Sequence, residues 1–147
     1  MQMVKQEPSS KQCGLCVVAM LTDRTREQIQ ADVPDYEAKA DWFWLNYIRA
    51  LGYVLEDVRN DPGFDRSLTC EGKVFSGHFK LPLGHQYYCT VCTPTAAHAI
   101  AIDQHGMVFD PSNSAPMTGA CTLEEHVRCN HQKFGEATIG CCYRVQK

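Results

Sequence analysis

The first third of the chain carries its apolar residues at helical spacing. Cys13–Leu21 is a compact apolar run that follows a polar segment and meets a threonine-aspartate pair typical of a helix end. Thr25 is followed three residues later by Gln28, which is the pattern of a capping box. The sequence therefore predicts two successive helices, the second of which ends before Pro34.

A third helix is predicted to begin at Asp41, whose side chain is a good N-terminal cap. Trp42, Leu45 and Ile48 recur at helical spacing, with Phe43 as a further candidate. We expect Trp42 and Trp44 to lie in the core or in the wall of a cleft. Gly52 then supplies the residue type that commonly ends a helix.

The rest of the chain is richer in short apolar or alternating segments typical of β-strands. These segments are residues 53–58, part of 73–79, 87–92, 97–103 and 107–110. A last helix is predicted to begin at Thr122, and residues 140–145 are expected to return as a final strand. Helices followed by an antiparallel sheet indicate an α+β fold, with an N-terminal helical lobe packed on a C-terminal sheet.

Two of these segments are joined by a turn that predicts a β-hairpin. Residues 97–103 (AHAIAID) and 107–110 (MVFD) flank a Gln-His-Gly turn. In an antiparallel hairpin the start of one strand lies beside the end of the other. His98 and Asp110 are therefore expected to be neighbours on the rim of the sheet, although their spacing does not fix whether the side chains share a face.

The composition is that of one globular domain spanning residues 1–147. Hydrophobic residues make up 44% of the chain, and the formal net charge is −3 with the lysines and arginines scattered. No basic run indicates a nucleic acid or an anionic membrane as a partner. The N-terminal residues lack a secretory signal, and no window approaches the roughly 18 apolar residues of a membrane span. We therefore expect a cytoplasmic protein.

The chain contains nine cysteines, and without an export signal their expected state is the free thiol. Cys13 differs from the others because it opens the first predicted helix and precedes the small Gly14. A helix N-terminus lowers the pKa of a thiol, and its N–H groups can also bind an oxyanion. Such a thiol needs an imidazole to take its proton and a group that orients the imidazole. The pairing of His98 with Asp110 meets both needs.

The blocks CGLCVVAML, from Cys13, and HAIAID-QHG-MVFDPS, from His98, resemble the papain-like peptidase domains that trim bacteriocin leader peptides, and their free-standing relatives. The resemblance implies Cys13 as the nucleophile, His98 as the base and Asp110 as the orienting residue. No cofactor or metal is expected for this chemistry. Leader-trimming members are usually fused to a membrane transporter, which these 147 residues do not contain, and the free-standing form suits a bacterial or phage protein.

In this family a glutamine shortly before the cysteine completes the oxyanion hole. It usually stands six residues before the cysteine, where this chain has Glu7. We favour Gln6, because one extra residue is readily absorbed in a loop that contains Pro8, and Gln12 stays open as the alternative.

A zinc-stabilised binding module is the main alternative, because Cys13/Cys16 and Cys89/Cys92 both have the CxxC spacing of zinc ligands. The first pair lies in a predicted helix, and on a strand the thiols of the second pair point to opposite faces. A redox dithiol at the first pair and a catalytically idle papain-like interaction protein are further alternatives.

The sequence thus predicts a papain-like cysteine hydrolase that cleaves a peptide, isopeptide or related amide bond in a peptide or protein substrate. The Cys13 thiolate attacks the carbonyl, and water resolves the acyl-enzyme. An acyl transfer by the same chemistry stays open because the nucleophile alone does not choose the acceptor.

Overall fold

The computed structural model describes residues 1–8, 10–59, 61, 68–71, 74–77, 81–112 and 121–147. The described part of the chain forms four α-helices, a short 3-10 helix at Tyr36–Ala38 and eight β-strands. The helices are α1 (Cys13–Leu21), α2 (Arg26–Asp32), α3 (Asp41–Ala50) and α4 (Leu123–Phe134). None of these helices is both long and apolar enough to cross a membrane.

The strands are β1 (Val54–Asp57), β2 (Leu68–Glu71), β3 (Val74–Gly77), β4 (Gln86–Cys92), β5 (Ala97–Ile102), β6 (Met107–Phe109), β7 (Cys121–Thr122) and β8 (Thr138–Gln146). Six of them form one antiparallel sheet in the order β1-β8-β4-β5-β6-β7, and β2 pairs with β3 separately. The α+β prediction with an antiparallel sheet is confirmed. The strand expected within residues 73–79 is present as β3, and positions 73, 78 and 79 lie outside the described residues.

Local capping signals set the starts of α2 and α4 where the sequence predicted them. The side chain of Thr25 accepts a hydrogen bond from the Gln28 N–H, and the Gln28 side chain accepts one from the Thr25 N–H, which completes the capping box of α2. Thr122 caps α4 by accepting from the N–H of Glu125 at 3.2 Å. Gly135 ends α4 with a left-handed backbone (φ 82°), a conformation that favours glycine.

The third helix departs from its prediction in two respects. Its N-cap is Ala40, and the Asp41 carboxylate accepts a hydrogen bond from the Tyr88 hydroxyl at 2.6 Å instead of capping the helix. Trp42 is 68% exposed, so its assignment to the core was wrong. Trp44 is buried there instead, with Leu45 and Ile48, because α1 offers it a recess at a glycine.

The sheet separates two hydrophobic cores. One face, with Tyr88, Ala99 and Ala101, packs against α1, α2 and α3. The opposite face, whose residues include Tyr87 and Ile100, packs against the apolar side of α4. Neighbouring residues on β4 and β5 thus serve different cores, as the two-residue period of a strand requires.

The first helix is apolar on almost every side and lies deep in the first core. Its close approach to α3 depends on Gly14. A Cβ at this position would lie 2.5 Å from Trp44 Nε1 and closer still to Trp44 Cδ1. Since real Cβ atoms do not approach a rigid indole ring so closely, only glycine fits this contact.

We expect the substitution Gly14→Ala to lower the free energy of unfolding by about 1–3 kcal/mol through overpacking. The effect opposes helix propensity, which favours alanine by about 1 kcal/mol. Denaturant titration of both proteins measures the difference. In a Trp44→Leu background the same substitution is expected to be neutral or stabilising, and stabilisation in the wild-type background would contradict the contact.

Candidate active site

Cys13 is the first residue of α1, so its side chain stands at the edge of the first core and is half-buried. The N–H of Cys16 donates to the Gln12 carbonyl oxygen at 2.9 Å and closes the first helical turn. The N–H groups of a first turn have no acceptor within their own helix. The end of α1 therefore presents backbone donors next to the thiol.

His98 lies near the start of β5 beside the Cys13 thiol, and each of the two groups shifts the pKa of the other. The backbone of Ala99 also acts to lower the pKa of this thiol. On the other side of the imidazole, His98 Nε2 lies 2.5 Å from Asp110 Oδ1. Because Nε2 contacts Asp110, we infer that Nδ1 is the ring nitrogen that faces Cys13. The structure thus brings the predicted nucleophile, base and orienting carboxylate together in one line.

Asp110 directly follows β6, and its side chain is buried. Besides the contact with His98, Oδ1 accepts the N–H of Ser112 at 2.8 Å. The other oxygen, Oδ2, lies 2.7 Å from Nε2 of His126 on α4. Buried carboxylates need such donors, because leaving one unsatisfied costs free energy.

Burial raises the pKa of a carboxyl group, but at Asp110 the hydrogen bonds from His126 and His98 and the positive charge of His98 outweigh it and lower the pKa. Burial likewise acts to lower the pKa of His98, yet its hydrogen bonds to Asp110 and Cys13 raise that pKa to about 10. A protonated His98 and an ionised Asp110 are therefore the expected neutral-pH state.

Burial pushes the pKa of Cys13 upward, but the hydrogen bonds from His98 and the Ala99 backbone, together with the His98 charge, hold it below that of an ordinary thiol. Burial raises the pKa of Cys16 to about 12 and those of Cys121 and Cys141 to about 11. Among the described cysteines whose pKa is shifted, Cys13 alone is shifted toward the thiolate.

Gln6 and Gln12 occupy different surroundings. Gln6 borders the same cleft as Cys13 and His98, and its Nε2 donates to the Ser10 carbonyl oxygen at 3.1 Å. Gln12 is buried, and its Oε1 accepts a hydrogen bond from the N–H of Glu7 at 3.1 Å. Its side chain therefore stabilises the loop that precedes α1. The geometry favours Gln6 over Gln12 as the glutamine that faces a substrate.

The cleft that contains the thiol has a volume of about 480 Å³ and runs between the N-terminal segment, the start of α3 and the connection from β4 to β5. Asp41 lies in its wall, and its negative charge disfavours the Cys13 thiolate. A second cavity of about 200 Å³ shares Ala96 and His98 with the cleft and extends past Asp110 to α4. The imidazole therefore stands between two spaces, and the thiol borders only one.

His126 is the residue that sequence reasoning missed, because its partner lies 16 positions away and is reached only through the fold. One signal was present. His126 lies between Leu123 and Val127 on the buried side of an amphipathic helix, where a polar residue needs a partner.

The alternative zinc site finds no support in the geometry. Cys89 and Cys92 are separated by three positions on β4, so they face opposite sides of the sheet. Among the described residues no group of three or more His, Cys, Asp or Glu side chains is arranged to hold a metal ion. The eight cysteines whose side chains the structure describes, among them Cys13 and Cys16, are free thiols.

The chain matches no model of a known protein family, and no curated protein or solved structure matches it. The chemistry assigned to the site therefore depends on the geometry described above.

We expect Cys13 to react with iodoacetamide first among the nine cysteines at mildly acidic to neutral pH. Because the pKa of Cys13 is lowered, its thiolate stays populated at pH values below about 8.5, the pKa of an ordinary thiol. The reactivity falls as the pH drops through that lowered pKa. Peptide mass spectrometry after brief substoichiometric labelling ranks the rates. His98→Ala should lower the alkylation rate of Cys13 to that of the other thiols. His105 is an exposed histidine in the β5–β6 turn, and His105→Ala should leave the Cys13 rate unchanged. Equal rates for Cys13 and the buried thiols would contradict the pairing.

Proposed function

We propose that this protein is a papain-like cysteine hydrolase that cleaves a peptide, isopeptide or related amide bond. One observation carries the proposal. A thiol at the N-terminus of a buried helix shares a cleft with an imidazole that lowers its pKa, and that imidazole is itself held by a buried carboxylate. These are the nucleophile, the proton acceptor and the orienting group that acyl transfer through a thiolate requires.

In the first step the Cys13 thiolate attacks the substrate carbonyl carbon and forms a tetrahedral intermediate. The developing oxyanion is stabilised by the backbone N–H of Cys13 and by an N–H of the Gln6 side-chain amide, which borders the cleft. The protonated His98 then gives its proton to the leaving amine as the C–N bond breaks. Asp110 keeps the ring oriented and stabilises its positive charge.

The product of this step is a thioester between Cys13 and the acyl half of the substrate. His98, now neutral, removes a proton from water, which attacks the thioester and releases the acid. An amine entering in place of water gives acyl transfer by the same route. The cleft that Cys13 and His98 share supports this scheme, because the leaving or entering amine must contact the imidazole on the side of the thiol.

The site geometry favours an enzyme over a protein that only binds a partner. A structural cysteine has no need of a lowered pKa, and keeping a thiolate–imidazolium pair half-buried costs desolvation. The Asp41 carboxylate adds to that cost, yet the hydrogen bond from Tyr88 keeps it fixed in the cleft wall.

We expect the wild-type protein to cleave a subset of peptides in a proteome-derived library, with new N-termini identified by mass spectrometry. Cys13→Ala should reduce cleavage to background because no other group in the cleft replaces the nucleophile. Cys129→Ala, which removes a half-buried thiol on α4, is the matched control and should cleave normally. Cleavage by Cys13→Ala at the wild-type rate would overturn the proposal.

A further inference from the structure

The scheme above uses the side chains of Cys13, His98, Asp110 and Gln6, and a further side chain is hydrogen-bonded to Asp110. His126 is 3% exposed, and its Nε2 lies 2.7 Å from Asp110 Oδ2. Asp110 thus stands between two imidazoles, with one carboxylate oxygen facing each of them. The proposed reaction assigns no task to the second imidazole.

The protonation states follow from the charge on Asp110. Because the pKa of this carboxyl group is lowered, Asp110 is ionised and both ring nitrogens that face it carry protons. His126 therefore donates from Nε2. Asn130, one helical turn further along α4, places its Nδ2 at 2.9 Å from the His126 carbonyl oxygen and 3.4 Å from Nδ1. The Asn130 amide is thus positioned to support the His126 tautomer that is protonated at Nε2.

The two carboxylate oxygens are held from different parts of the fold. Oδ1 is fixed by the imidazole of His98 and by the N–H of Ser112, whereas Oδ2 depends on the donor that α4 supplies. Without that donor, Oδ2 is a buried acceptor that has lost its hydrogen-bond partner. Turning toward water then lowers the free energy of the carboxylate. Such a turn moves Oδ1 away from His98.

We propose that His126 is a positioning residue of the active site, which acts through Asp110 to hold His98 in line with Cys13. The proposal rests on the proposed function, since it concerns the orientation of the same base. It also explains why α4 carries a histidine and an asparagine on the side where Leu123 and Val127 enter the core.

A purely structural role for His126 makes a different prediction. If the residue only satisfied a buried carboxylate, its loss would lower stability but would leave the reactivity of the remaining folded protein unchanged. The decisive measurement is therefore the pH profile of Cys13 alkylation by iodoacetamide, combined with an NMR titration of the His98 ring. Neither measurement requires a substrate, and both are made only on protein shown to be folded at the assay temperature.

We expect His126→Asn, whose amide is too short to reach Asp110, to shift the Cys13 profile toward that of an ordinary thiol and to slow alkylation at pH 6 about tenfold. The NMR titration should show that the pKa of His98, which its partners raise to about 10 in the wild-type protein, is lower in this variant. His126→Gln should restore most of both, because its Nε2–H can occupy the place of the ring N–H. His131→Gln, which changes another buried histidine of α4, is the matched control and should match wild type.

The outcomes separate the two hypotheses. An ordinary Cys13 profile in the wild-type protein contradicts the proposed function itself. A lowered wild-type profile that is unchanged in folded His126→Asn overturns only the role of His126. If His126→Asn does not fold, His126→Leu, which fills the site without a donor, takes its place. A Cys13 profile that moves toward that of an ordinary thiol in His126→Leu, with the wild-type profile kept in His126→Gln, supports positioning, and a wild-type profile in both variants overturns it.

Discussion

The arrangement of the site depends on keeping one buried carboxylate ionised. Asp110 receives donors from His98, His126 and the backbone of Ser112, and these contacts outweigh the cost of burying its charge. A fixed negative charge favours a positive one on the adjacent imidazole, and the imidazolium in turn favours a thiolate at Cys13. The three charges alternate in sign along the line, so each one stabilises its neighbour.

Cys13, His98 and Asp110 lie on separate elements that meet at the same end of the sheet. The β5–β6 hairpin places His98 beside Asp110, and the buried helix α1 points its N-terminus at the start of β5. The N-terminal segment is tied to the same place, because Lys5 Nζ donates to the Asp110 carbonyl oxygen at 2.9 Å and the Gln6 N–H donates to the Pro111 carbonyl oxygen at 2.9 Å. These two bonds explain how Gln6 comes to border the cleft.

Sequence reasoning succeeded where the signal is local. The bounds of α1, the capping box of α2 and the hairpin turn at Gly106 depend on neighbouring residues, and each was predicted. It failed where the outcome is set by tertiary packing. The spacing on α3 fits either Trp42 or Trp44, and only the recess at Gly14 decides between them. The position of β8 between β1 and β4, and the contact of His126 with Asp110, likewise arise from chain segments far apart in sequence.

The lowered pKa of Cys13 is likewise set by tertiary contacts rather than by its local sequence. Burial opposes a thiolate at Cys16, Cys121 and Cys141, and at Cys16, three residues along the same helix, it raises the pKa to about 12. The desolvation that acts on Cys13 has the same sign, and Asp41 adds a further opposing charge. What reverses the balance at Cys13 is the hydrogen bonding and charge of His98, together with the backbone of Ala99. The lowered pKa of this thiol therefore comes from groups that strand β5 supplies.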